Sequence, residues 1–222
     1  MVQLAPLFAV PFGYANIEDS AALNTQLRDL FLRCAADGTH YVHPRALPGR
    51  DSRVFESVPT VFRWPEECTR LLKEFCYREL LLLIGQLNDY DDAKLRSLQI
   101  YSESWFQVLR RGGFIEMRNH PMASWSGIYC VSNGVDNSGK LTSGMLGFVN
   151  PAKSSAMYVD PAVSDLKPPY SPGLADIKLE PGQLVLFPSW LLHDVRPYEG
   201  EGDRITIAFN AWFAFPATVA PN

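Results

Sequence analysis

An α+β fold is predicted by three features of the 222-residue sequence. Two long stretches with helical periodicity lie within residues 1–95. From about Leu98 onward, short apolar runs alternate with Gly/Pro turns, the texture of a sandwich or barrel. Near the end, Arg204 to Phe213 alternates strictly, with Ile205, Ile207 and Phe209 on one face and Thr206, Ala208 and Asn210 on the other. One domain spanning 1–222 is expected, with a helical portion over 1–95 and a β core over 96–215, because a chain of this length can bury a sizeable core.

In order, Val2 to Tyr14 reads as an extended opening strand that Pro11 places at an edge. Asn16 to Gly38 is helical: Leu23, Leu27, Leu30, Phe31 and Cys34 repeat at the helical period, and Gly38 suits a C-terminal cap. A polar, turn-rich loop comes next and holds His40 and His43; loops of this length often serve as lids. A second helix starts near Pro65, a favoured first-turn residue, and runs to about Leu87, where the Asn88–Asp92 cluster ends it. Strands are expected over 98–101, 105–109, 114–120, 126–131 and 145–148. Within 114–120, Phe114, Glu116, Arg118 and His120 share a side. Pro151 to Pro172 is a proline-rich surface excursion. Two further strands begin at Leu184 and at Arg204.

A composition of 47% hydrophobic and 20% charged residues is ordinary for a globular protein. The net charge of −4 argues against a broad basic surface for nucleic acid or acidic lipid. No run is long enough to span a bilayer, and the apolar start lacks a basic region and carries Pro6 and Pro11, a poor signal peptide. Cys34, Cys68, Cys76 and Cys130 lack metal or disulfide spacing and suit buried free thiols. A cytoplasmic protein is expected, with no nucleic-acid or membrane partner.

The stretch Leu184–Phe213 carries the chemistry. A neutral imidazole at His193 is a good ligand for a divalent metal. Eleven residues on, the guanidinium of Arg204 offers a fork of donors matched to a carboxylate. With Arg204 on a strand running beside the one that delivers His193, ligand and clamp would share one cavity, as a site that chelates iron through a 2-oxo acid requires.

The residues Phe187-Pro188-Ser189-Trp190-Leu191, His193, Val195 and Pro197, then Arg204-Ile205, Ile207 and Phe209-Asn210, resemble the end of a family of bacterial and phage 2-oxoglutarate/Fe(II) dioxygenases, mostly without an assigned substrate. An upstream block also matches: Ser104-Trp105-Phe106-Gln107, Gly113, His120-Pro121 and Ser126-Gly127-Ile128-Tyr129. The resemblance covers about the C-terminal half. It implies a double-stranded β-helix (jelly-roll) with the N-terminal helices on one face. It also implies Fe(II) held by His120 and His193, and 2-oxoglutarate as co-substrate held by Arg204 and Thr206. Tyr129 is expected to share the carboxylate with Arg204. The partner implied is a small-molecule substrate or side chain to be hydroxylated, and a homodimer is compatible with this reading.

One departure matters. Where the family carries a first ligand, this chain has Arg118, which cannot ligate a metal and repels one. Glu116 lies about 13 Å from His120 along an extended strand, too far to share an ion bound at about 2 Å. It pairs more simply with Arg118. Asp194 is expected to point away from His193. Three readings stay open: an oxygenase, a non-catalytic jelly-roll module that has lost its metal but binds a small carboxylate, and, as a weaker third, a cupin-like metalloprotein of other chemistry. The position and neutralisation of Arg118 discriminate between the first two.

Overall fold

Two antiparallel sheets face each other across a shared interior, and two helices cover the outer side of the larger sheet. The computed structural model describes residues 2–37, 40–43, 53–154, 158 and 160–216. In chain order the strands are β1 (Gly13–Asn16), β2 (Val54–Glu56), β3 (Gln99–Leu109), β4 (Ile115–Arg118), β5 (Trp125–Val135), β6 (Leu146–Val149), β7 (Leu174–Ile177), β8 (Gln183–Pro188), β9 (His193–Val195) and β10 (Glu201–Ala214). The large sheet runs β1-β8-β5-β10-β3-β2 and the small one β4-β9-β6-β7. This is the jelly-roll arrangement expected.

The helices are α1 (Ala21–Ala36), α2 (Glu67–Asn88) and the short α3 (Asp92–Ser97). The apolar stripe of α1 buries Leu27, Leu30, Phe31 and Cys34, and that of α2 buries Leu72, Phe75, Cys76 and Leu80. Both stripes pack on Phe106, Val108, Tyr129, Val131, Ile205, Ile207 and Phe209, which are alternate residues of β3, β5 and β10. Phe31 stacks on Phe106 at 4.3 Å between ring centroids. The intervening residues point the other way: Trp105, Leu109, Ile128, Cys130, Val185, Phe187 and Ala208 form a second core with Leu146, Phe148 and Val195 of the small sheet. Period-two alternation thus gives the large sheet a structural face toward the helices and an interior face toward the small sheet.

Several expectations are corrected. The opening strand is confined to Gly13–Asn16, paired with β8 at the edge, and residues before it are in no sheet. Asn16 ends that strand, and Asp19 takes a left-handed φ of 52° that a helix cannot hold, so α1 starts only at Ala21. The Gly38 cap lies outside the described residues. The runs at 98–101 and 105–109 are one strand, β3, continuous against β10 from Gln99 to Leu109. The His40–His43 loop leads to β2, which pairs with β3. The first 95 residues therefore supply two strands of the large sheet, β1 and β2, as well as its covering helices. Arg204 and His193 are not on neighbouring strands: β10 lies between β3 and β5, whereas β9 lies between β4 and β6 in the opposite sheet. All four cysteines are free and buried.

Candidate active site

His193 opens β9 with its ring turned inward and only 4% exposed. Its Nδ1 lies 2.9 Å from the Leu191 carbonyl oxygen. A carbonyl can only accept, so Nδ1 carries the hydrogen and Nε2 keeps its lone pair. His120 comes just after β4, anchored by its backbone N–H donating to the Ser189 carbonyl at 2.8 Å. The two rings lie 5.3 Å apart, centroid to centroid, with Trp105 against His120 and Phe187 against His193. Burial keeps both imidazoles neutral. His120 is pushed down to about 3 by desolvation, with Arg118 and His193 adding to it. His193 falls to about 4, first through desolvation.

Arg118 reaches the same cavity through an irregularity in β4. Ile115 pairs with Val195 and Arg118 with His193, so three steps on one strand answer two on the other. The extra residue is a β-bulge, which re-aims the side chains beyond it. Ile115 and Arg118 then both line the interior, while Glu116 and Met117 are exposed. Regular alternation would place Glu116 on the side of Arg118 and His120; the bulge expels it. The carboxylate beside Arg118 is instead Glu56 of β2, whose Oε2 lies 3.6 Å from Arg118 Nη2 and accepts a 2.8 Å hydrogen bond from Gln107 Nε2. Sequence reasoning missed Glu56, because its only local signal is a three-residue strand inside a polar stretch.

The space between Arg118, His120, His193, Gln107 and Asn210 amounts to about 20 Å³, enough for one ion or water. Among the described residues no group of three or more His, Cys, Asp or Glu side chains could hold a metal. Asp194 faces away and accepts a 2.7 Å hydrogen bond from Arg196 Nη1. His40 is exposed, and the chain at His43 is tied to β2 by its backbone N–H donating to the Glu56 carbonyl at 3.1 Å. The donor set is two neutral, buried imidazoles with a neutralised guanidinium alongside. Among the described residues this set offers a metal two nitrogen donors, with no third protein ligand grouped beside them.

Farther along the interior face of β10 come Ala208, Thr206 and Arg204, with Thr206 and Arg204 only 1% and 2% exposed. Four residues of strand set Arg204 about 13 Å from Ala208, which lines the histidine cavity. The buried Arg204 Nη1 has no hydrogen-bond partner among the described residues. Burial lowers its affinity for a proton, opposed by Cys130 and Tyr198. A desolvated guanidinium with an open donor is matched by a carboxylate. Tyr129 does not join it. Tyr129 is on the helix-facing side of β5, and its hydroxyl donates to Asn24 Oδ1 of α1 at 2.8 Å. The sheet separates it from Arg204, so the expected sharing of a carboxylate is corrected.

Comparison with known proteins bears on this arrangement. Residues 103–210 match the family model described as "Putative 2OG-Fe(II) oxygenase". No curated protein matches the sequence. Among solved structures, a prolyl-4-hydroxylase from Pseudomonas putida is 16% identical, covering 90% of this chain and 92% of its own with a TM-score of 0.58. AviO1 from Streptomyces viridochromogenes Tue57 is 17% identical, with coverage of 96% and 93% and a TM-score of 0.58. HygX from Streptomyces hygroscopicus, solved with nickel, 2-oxoglutarate and hygromycin B bound, is 14% identical, with coverage of 95% and 84% and a TM-score of 0.53. These likenesses establish the double-stranded β-helix fold. No helix among the described residues is long and apolar enough to cross a membrane. The family match runs from β3 to β10, through both histidines and Arg204, so over that stretch the chain is similar to the 2OG-Fe(II) oxygenases.

Proposed function

We propose that this enzyme hydroxylates a small molecule or an exposed side chain, with Fe(II) on His120 and His193 and with Arg204 and Thr206 binding the distal carboxylate of 2-oxoglutarate. The observation that carries this reading is the buried, open donor of Arg204 on the same interior face that leads to two neutral imidazoles. In the net reaction, a substrate C–H, O2 and 2-oxoglutarate become C–OH, succinate and CO2. The bound metal would supply the oxygen-activating electron chemistry.

The protein's own residues bind, orient and shield. His193 is fixed by its Nδ1–H bond to Leu191, so that Nε2 points into the cavity. Glu56 and Gln107 hold Arg118 so that its charge is offset beside the imidazoles. Trp105, Ile128, Phe148 and Phe187 exclude water, which strengthens each polar interaction inside. Loss of the Arg204 clamp should weaken 2-oxoglutarate binding by about tenfold or more, since charged hydrogen bonds exceed neutral ones. Calorimetry on Arg204→Leu, with melting as a fold control, tests this; equal binding by both proteins removes Arg204 from the site. A second reading, a carboxylate-binding module without metal, is favoured only by Arg118 standing opposite His193 in the strand register. Absence of Fe(II) binding by protein purified without oxygen, with 2-oxoglutarate binding retained, would select it.

A further inference from the structure

His120 faces two spaces. One is the small interior cavity; the other is an open basin of about 520 Å³ at the mouth of the barrel, which Asn210 also borders. This basin continues the interior faces of β3 and β10 beyond the packed core. There Glu103 lies opposite Asn210, and Tyr101 opposite Trp212. Trp212 is 37% exposed and stacks on Tyr101 at 6.5 Å with 13° between the ring planes. Met122 stands at the rim, 92% exposed. Glu103 is an exposed carboxylate with no ion-pair partner among the described residues. Among the described residues, no lysine or arginine lines the basin. The nearby guanidinium, Arg118, belongs to the inner cavity and faces Glu56.

Glu103 and Trp212 thus line one basin, and the two together favour one kind of group. The carboxylate attracts positive charge, and an aromatic face attracts a cation through its quadrupole. Asn210, held by the Ser126 hydroxyl donating to its Oδ1 at 2.7 Å, forms the floor between the basin and the imidazoles. We propose that this basin is the substrate site and that it selects an organic cation, an amine or guanidine whose charged end rests on Glu103 and Trp212 while its carbon chain points toward His120. The assignment deepens the oxygenase reading and rests on it for what happens to the substrate, but not for the binding itself.

The test therefore leaves out both metal and 2-oxoglutarate. Benzylamine, charged at neutral pH, and benzyl alcohol, its neutral counterpart of similar shape, are titrated into the metal-free protein by calorimetry. Benzylamine should bind at least about fivefold more tightly. Glu103→Gln should abolish that preference with little change for the alcohol, and Trp212→Leu should weaken the amine. Raising salt should weaken the amine alone. Glu103 is exposed and Trp212 is over a third exposed, so both variants should melt with the native protein. Equal binding of amine and alcohol, no binding of either, or a preference that survives Glu103→Gln overturns the proposal. A failure of succinate formation would sink the oxygenase reading and leave this result standing.

Discussion

A guanidinium beside two neutral imidazoles persists because a buried carboxylate stands behind it. Glu56 is buried to 7% exposure and is held by Gln107, so Arg118 meets a fixed negative charge rather than a mobile one. Replacing that cation by a third imidazole converts an opposing charge into a donor, in register with His193. Arg118→His should tighten Fe(II) binding by about tenfold or more, since a nearby cation in a low-dielectric cavity opposes a divalent metal. Anaerobic metal titration decides it: if the native protein binds iron more tightly than the variant, Arg118 does not occupy a ligand position. His193 and Arg204 were legible as candidates because spacing and residue type are local properties. Glu56 was not, since its role depends on a pairing across more than fifty residues with β3.

Among the elements, β4 shows how one extra residue redistributes chemistry. Its bulge turns Arg118 inward and Glu116 out, and no periodicity within the strand announces it, because a bulge is defined by the partner's register. The helices were legible for the opposite reason: their stripes repeat within the segment itself. Tyr129 was misread because an alternating strand shows two faces without saying which one meets the cavity. Its observed contact gives a sharp expectation. Tyr129→Phe removes a buried hydrogen bond to Asn24 and should cost about 1 kcal/mol of stability. It should leave 2-oxoglutarate affinity unchanged; denaturant melts together with calorimetry check both halves, and a large loss of affinity would return Tyr129 to the site.

At the scale of the molecule, the buried histidines tie stability to pH. Both have native pKa values depressed below the ordinary imidazole range, to about 3 and about 4, so between there and about 6.5 the unfolded chain binds protons that the native one does not. Stability is therefore full above about 6.5 and falls as the pH drops toward the native values. The metal-free melting temperature should decline across that interval, and His193→Gln should flatten the decline; an unchanged slope would show that other groups carry it. The two-faced large sheet has a wider consequence. Along β10, Ile205, Ile207 and Phe209 hold the helices on, whereas Arg204, Thr206, Ala208 and Asn210 address the interior. Folding and chemistry are thus written on interleaved letters of one strand. A lineage can exchange a donor for a cation at Arg118, or re-tune the mouth at Glu103, without revising the letters that keep the barrel folded, so the scaffold can outlast any particular reaction it hosts.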